Sequence, residues 1–371
     1  AGRRANRLTR GAVARAIEGA GFAKLDDGGM LTLNWHAGLA AEALGIIRLP
    51  RRADAGQARR AGGAMGRMRA GRASSVFAGR SKIAERTMHV VLFSCAALTA
   101  AVTVGIVVVL VAETAAFLGD VSLGEFFSRA AWTPHFADPS YGVAPLVGGS
   151  VLVASVAGLV ALPSGLLVAL FLSEYAPSRL RTVLKPFLEV LAGIPTVVYG
   201  YFALTFVTPA LRTIVPGLPL FNALSAGLVV GIMILPMVTS LSEDAMRAVP
   251  KGLREAAFGL GATRYEVAVR VVAPAAASGI AASFLLALAR AIGETMIVTI
   301  AAGNVATLTA NPLDSIQTMT SFIAQVSLGD TPRGGTLYHA LFAVGLALFT
   351  ITLLMNLLSQ WALGRIRERY Q

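Results

Sequence analysis

Arg290 and Glu294 stand four residues apart in LARAIGETM (288–296), inside the apolar run AAASGIAASFLLALARAIGETMIVTIAAG. A charged side chain at the centre of a bilayer costs at least about 2.5–3.5 kcal/mol. Two of them in one run need a reason. One reading is structural: as an i, i+4 pair on one face of a helix they neutralise each other and lock packing. The other is a permeation route, for which intramembrane ionisable groups are the usual sign. Arg preceding Glu is the weaker order for an intrahelical pair, and Ala289 and Gly293 leave room beside it. A guanidinium offers forked N–H donors that match an oxyanion. The carboxylate then steadies the Arg when the path is empty and yields as the anion passes, keeping binding weak enough for release. Thr295 and Asn304 could line the mouth of such a path or cap helix ends.

Other chemistry is sparse. His36, His89, His135 and His339 are scattered without metal-ligand spacing, so no metal site is expected. Ser150, Ser164 and Ser278 sit near glycines, but none forms G-x-S-x-G. Cys95, the single cysteine, allows no intrachain disulfide. No G-x-x-x-x-G-K-[ST] occurs, so no phosphate cradle for ATP is expected in this chain. An enzyme embedded in a membrane should show a cluster of acids, bases or ligands at depth. Here the Arg–Glu pair stands alone.

The elements that must position the pair follow from composition. Of 371 residues, 55% are hydrophobic and 14% charged, against about 25% charged in soluble domains; the mean hydropathy is +0.68. An all-α polytopic membrane protein is expected, with six transmembrane helices near 87–112, 144–172, 187–208, 222–242, 274–302 and 336–362. The third holds Glu189 and the breaker Gly193-Ile194-Pro195, so it is read as partly interfacial or bent. Connections alternate between poor and rich in Lys/Arg: Arg129 alone, then Arg179, Arg181 and Lys185, then Arg212, then five between 243 and 273, then Arg333, then Arg365, Arg367 and Arg369. The positive-inside rule places both termini in the cytoplasm.

Of the net charge of +12, ten units come from residues 1–80, with 15 Lys/Arg against five Asp/Glu. That basic segment is read as a disordered or loosely helical cytoplasmic part resting on anionic lipid, not as a nucleic-acid binder. No cleaved signal is expected before Met88, and Met30, Met65 and Met68 each fit a start of translation. Residues 81–371 form the membrane domain.

The cytoplasmic loop at about 243–273 reads as two short helices around a glycine break. Leu253, Ala256, Ala257 and Leu260 share one face. Thr263 with Glu266 is set to cap the second helix. EAAFGLG, nine residues, then VVAP resembles E-A-A-x-x-x-G-x9-I-x-L-P of bacterial ABC importer permeases: Glu255, Ala256, Ala257, Gly261 and Pro274 match, Val271 replaces Ile, and Ala273 replaces Leu. RAIGETM with VTIAAGN, SEYAPSRLRTVLKP, LAGIPTVVYGYFAL and TMTSFIAQVSLGD further resemble the PstC-type permease family of the phosphate-specific importer, over about residues 85–369. The resemblance implies the type I (MetI-like) permease fold. Arg290 and Glu294 are its expected pathway residues, to which the reading above adds Thr295, and Glu255, Ala256, Ala257 and Gly261 are its ATPase-coupling residues. It implies a PstA-like second permease, two ATP-binding cassette subunits that hydrolyse the ATP, and an extracytoplasmic phosphate-binding protein, with no cofactor on this chain, in the bacterial inner membrane. Another oxyanion, sulfate or molybdate, and the PstA-like half are the alternatives.

Overall fold

The computed structural model describes residues 23–25, 31–33, 65–128 and 131–367. The chain divides into two units, Ala1–Ala96 and Ala97–Gln371. In the first, β1 (Ala23–Leu25) pairs antiparallel with β2 (Leu31–Leu33), Ala23 opposite Leu33. Helix α1 spans Met65–Asp120. Within 1–80, expected to be disordered or loosely helical, the described residues form β1, β2 and the first turns of α1; the remainder lies outside the described residues. The strands flank Asp27-Gly28-Gly29, residue types that suit a chain reversal, and the start of α1 is rich in Ala, Arg and Met, which favour helix.

Five helical stretches are long and apolar enough to cross a membrane: Arg86–Asp120, Ala144–Tyr175, Thr196–Ile214, Ala223–Arg247 and Thr336–Leu358. A sixth is broken: Arg264–Ala275 and Ala277–Ile292 meet at 71°. Two expected spans are thereby corrected. The span placed at 187–208 starts instead after Pro195. Before it, α4 (Ser178–Ala192) is amphipathic and ends at Gly193, because Pro195 cannot continue a helix. The span placed at 274–302 bends at Ala276, beside Pro274, and stops at Gly293.

Short α2 (Leu123–Phe126) precedes α3 (Ala144–Leu170), which continues through a π-helical turn at Phe171–Tyr175. After α4 come α5 (Thr196–Phe202), a second π turn and α6 (Thr208–Ile214). Helix α7 (Ala223–Arg247) packs along α3 in parallel: a Cβ on Gly227 would meet Val156 and one on Gly165 would meet Val238. Small residues in such faces let membrane helices approach closely. A core of Val153, Ala157, Val230, Ile234, Ala287 and Ile297 fills the space between them.

Helix α8 (Lys251–Gly259) leads to α9 (Arg264–Glu266), a third π turn and α10 (Ala273–Ala275). The capping box expected of Thr263 and Glu266 is formed. Then follow α11 (Ala277–Ile292), α12 (Met296–Ala301), α13 (Met319–Leu328) and α14 (Thr336–Arg367).

One contact fixes α13 against α3. A Cβ on Gly149 would lie 2.4 Å from the carbonyl oxygen of Gln317, and the adjacent Ser150 hydroxyl accepts from the Met319 N–H at 3.0 Å. Gly149→Ala is expected to push this backbone contact apart at a cost of about 1–3 kcal/mol, read as a lowered unfolding temperature of the solubilised protein.

Candidate translocation site

A Cβ on Gly158, midway along the span that begins at Ala144, would touch Leu288 of α11. Arg290, two residues on, therefore lies near mid-span. It occupies the last turn of α11, where the helix dipole favours a cation, and its side chain is exposed on the surface of the chain. Glu294 lies beyond the end of the helix and is 8% exposed. Its Oε1 accepts from the backbone N–H groups of Met296 (3.1 Å) and Ile297 (3.4 Å), so the carboxylate satisfies orphan donors at the start of α12.

The i, i+4 pairing on one helical face is thus corrected. Gly293 caps α11, the 3.6-residue period stops there, and no ion pair joins Arg290 to a carboxylate among the described residues. Two helix ends meet at the break, one carrying the guanidinium outward and the other turning the carboxylate inward. Thr295 is half-buried; its hydroxyl donates to the Gly293 carbonyl at 3.3 Å, and its carbonyl accepts from Thr299 at 2.6 Å.

The sequence reading missed the group that holds the break. Thr320 donates to the Glu294 carbonyl at 2.6 Å, Thr318 and Thr320 hydroxyls are 3.1 Å apart, and Thr318 forms a capping box with Ser321 at the start of α13. All three are buried. The signal was present as T-x-x-S before an apolar run, but its bond to residue 294 spans 26 positions.

At the opposite end of α3, a second cluster was also missed. Glu243 is 1% exposed and lies 3.1 Å from Lys185 and 3.5 Å from both Arg181 and Arg247. Lys185 also bonds Asp244 at 2.7 Å. That bond, with a smaller contribution from Glu243, raises the lysine pKa against the opposing effect of burial. Glu174 pairs with Arg254 of α8 at 3.1 Å, and Arg254 also donates to the Val249 and Met246 carbonyls. These contacts bind α4 and α8 to the ends of α3 and α7. Glu243→Ala is expected to destabilise the chain by about 2–3 kcal/mol, less than the ~3–5 of a fully buried pair because the cations remain partly wet; thermal unfolding of the solubilised protein measures it.

Helix α8 has no buried residue. Glu255 and Ala256 are exposed, Ala257 is half-buried, and Gly261 follows at φ +85°. Leu253, Phe258, Leu260 and Tyr265 are exposed around it. The four residues expected to couple to an ATPase thus lie together on one exposed loop. No group of three His, Cys, Asp or Glu side chains suited to a metal occurs among the described residues.

Broken apolar spans, a mid-depth guanidinium and a projecting amphipathic loop define a multi-pass membrane permease. A family profile described as binding-protein-dependent transport system inner membrane component matches residues 161–370, and the chain belongs to that family. It is 36% identical over 279 residues to the probable ABC transporter permease protein YqgH of Bacillus subtilis (strain 168), covering 75% of this chain and 90% of that one. It is 36% identical over 264 residues to the phosphate transport system permease protein PstC of Mesorhizobium japonicum, covering 66% and 79%. A crystal structure of a bacterial alginate ABC transporter, in complex with alginate pentasaccharide-bound periplasmic protein, shares the fold at TM-score 0.50 and 16% identity, over 69% of this chain and 87% of that one.

Proposed function

We propose that this chain is a PstC-type permease subunit that forms part of the route for inorganic phosphate in an ATP-driven importer. The observation that carries it is Arg290: a guanidinium near mid-span, exposed on the surface of the chain, with its expected carboxylate partner turned away. A lone cation facing lipid at that depth is costly. A second permease subunit that encloses a wet path beside α11 removes the cost. Its N–H donors then face an oxyanion. The PstC relatives supply the choice of phosphate.

The partners follow from that reading: a PstA-like permease, two ATP-binding cassette subunits seated on the α8 loops, and an extracytoplasmic phosphate-binding protein. ATP is hydrolysed by the cassette subunits. Both termini lie in the cytoplasm, since the Lys/Arg-rich connections, including α8, share one side. Arg290 and Thr295 contact the passing anion. Glu294 holds the start of α12.

The test is uptake by the reconstituted complex with its binding protein, offered phosphate, sulfate or molybdate. Phosphate is expected to drive ATP hydrolysis and accumulate. Preferential uptake of sulfate or molybdate overturns the substrate, and activity without a second, different permease overturns the PstA-like pairing.

A further inference from the structure

At the end of the spans opposite α8, a cavity of about 920 Å³ lies among the last turns of α1, short α2, the first turns of α3, α14 and Leu308. Phe117, Phe126, Val147, Ala347 and Ile351 form much of its wall. Two hydroxyls reach it, Thr114 and Thr350, and each donates to a carbonyl one turn back in its own helix, Leu110 at 2.6 Å and Leu346 at 2.8 Å. Water therefore finds few partners inside, and apolar cavities of this kind stay dry or take apolar guests.

Two features say what covers it. First, the lining residues Leu123, Phe127, Val151 and Leu308 are themselves more than half exposed. The cavity is thus continuous with the apolar outer surface of the spans, where lipid lies. Second, two carboxylates flank its lining residues in sequence. Asp120 ends α1 and Glu125 stands between the lining residues Leu123 and Phe126. Asp120 accepts from Thr336 at 2.8 Å, and neither carboxylate has a cationic partner among the described residues. Their field reaches Tyr141, whose phenol is pushed above its usual pKa by burial first and then by Asp120 and Glu125.

We propose that this cavity binds an acyl chain of an amine-bearing phospholipid, with the ammonium group of its headgroup drawn to Asp120 and Glu125. The leaflet is the one opposite α8, the outer one in the orientation proposed above. An anionic headgroup is disfavoured there because the two carboxylates repel it.

The test uses the assembled complex, washed extensively in detergent and examined by native mass spectrometry, then challenged with equal amounts of phosphatidylethanolamine and phosphatidylglycerol. Retention of phosphatidylethanolamine with about tenfold preference is expected, a difference of about 1.4 kcal/mol. Asp120→Asn with Glu125→Gln should bring the two lipids to parity without loss of total retained lipid, since both carboxylates sit outside the apolar wall. Ala347→Trp should expel the chain and lower retention of both. Lipid-free washed complex overturns the proposal, as does equal retention of the two lipids by the parent. A photo-crosslink from position 347 to the second permease subunit overturns it too, by showing protein where the chain should lie.

Discussion

Arg290→Gln is expected to reduce phosphate uptake by at least about 100-fold while the complex still assembles. Charge-assisted hydrogen bonds contribute about 1.5–3 kcal/mol each, and a forked guanidinium supplies two to one oxyanion. Their loss therefore costs about 3–6 kcal/mol, or roughly two to four powers of ten. Assembly survives because Arg290 forms no ion pair within its own chain among the described residues, so no buried partner is left stranded. Gln at the end of α11 also removes a desolvation cost. Arg290→Lys separates geometry from charge. It keeps the cation near mid-span but loses the planar fork, and an intermediate rate, about tenfold below the parent, is expected. Uptake in proteoliposomes and subunit stoichiometry after purification are the two readouts. A glutamine variant that imports phosphate at the parental rate removes Arg290 from the path.

The positions of four of the six spans were legible because twenty apolar residues in a row leave few alternatives in a bilayer. The loop around α8 was legible for a different reason: its signals are local, with Gly261 at the break and Thr263 three residues before Glu266, and the structure shows each in place. What failed was the inference that Glu294 continues the helix of Arg290. G-E-T carries a weak helix-ending signal, and the run on either side has the composition of an unbroken span. The break is held by a local bond, Glu294 to the start of α12, and by a tertiary one, Thr320 to the Glu294 carbonyl, and the tertiary partner has no mark in a linear pattern. The same holds for Glu243. Its cations on α4, Arg181 and Lys185, are 62 and 58 residues away in sequence, so counting charges loop by loop does not reveal the cluster.

Gly261→Arg is expected to lower binding-protein-stimulated ATP hydrolysis by at least about tenfold while leaving the membrane spans intact. Gly261 sits at φ +85° just after α8. Its N–H donates to the Phe258 carbonyl at 2.9 Å, and the Ala262 N–H donates to the Ala257 carbonyl at 3.1 Å. This is a Schellman ending, in which a left-handed residue satisfies the last carbonyls of a helix. Any side chain there costs about 1–2 kcal/mol in backbone strain. Among the described residues nothing lies within 4 Å of where a Cβ would stand, so the substitution meets no clash there. Arginine therefore acts on the exposed face that carries Leu253 and Leu260, the surface an amphipathic helix presents to a groove. Gly261→Ala isolates the strain: it should loosen the loop and reduce coupling only modestly, whereas arginine adds bulk and charge at the docking face. Equal losses in the two variants assign the effect to backbone strain alone. Undiminished stimulated hydrolysis with arginine shows that the ATPase does not seat on this face of α8.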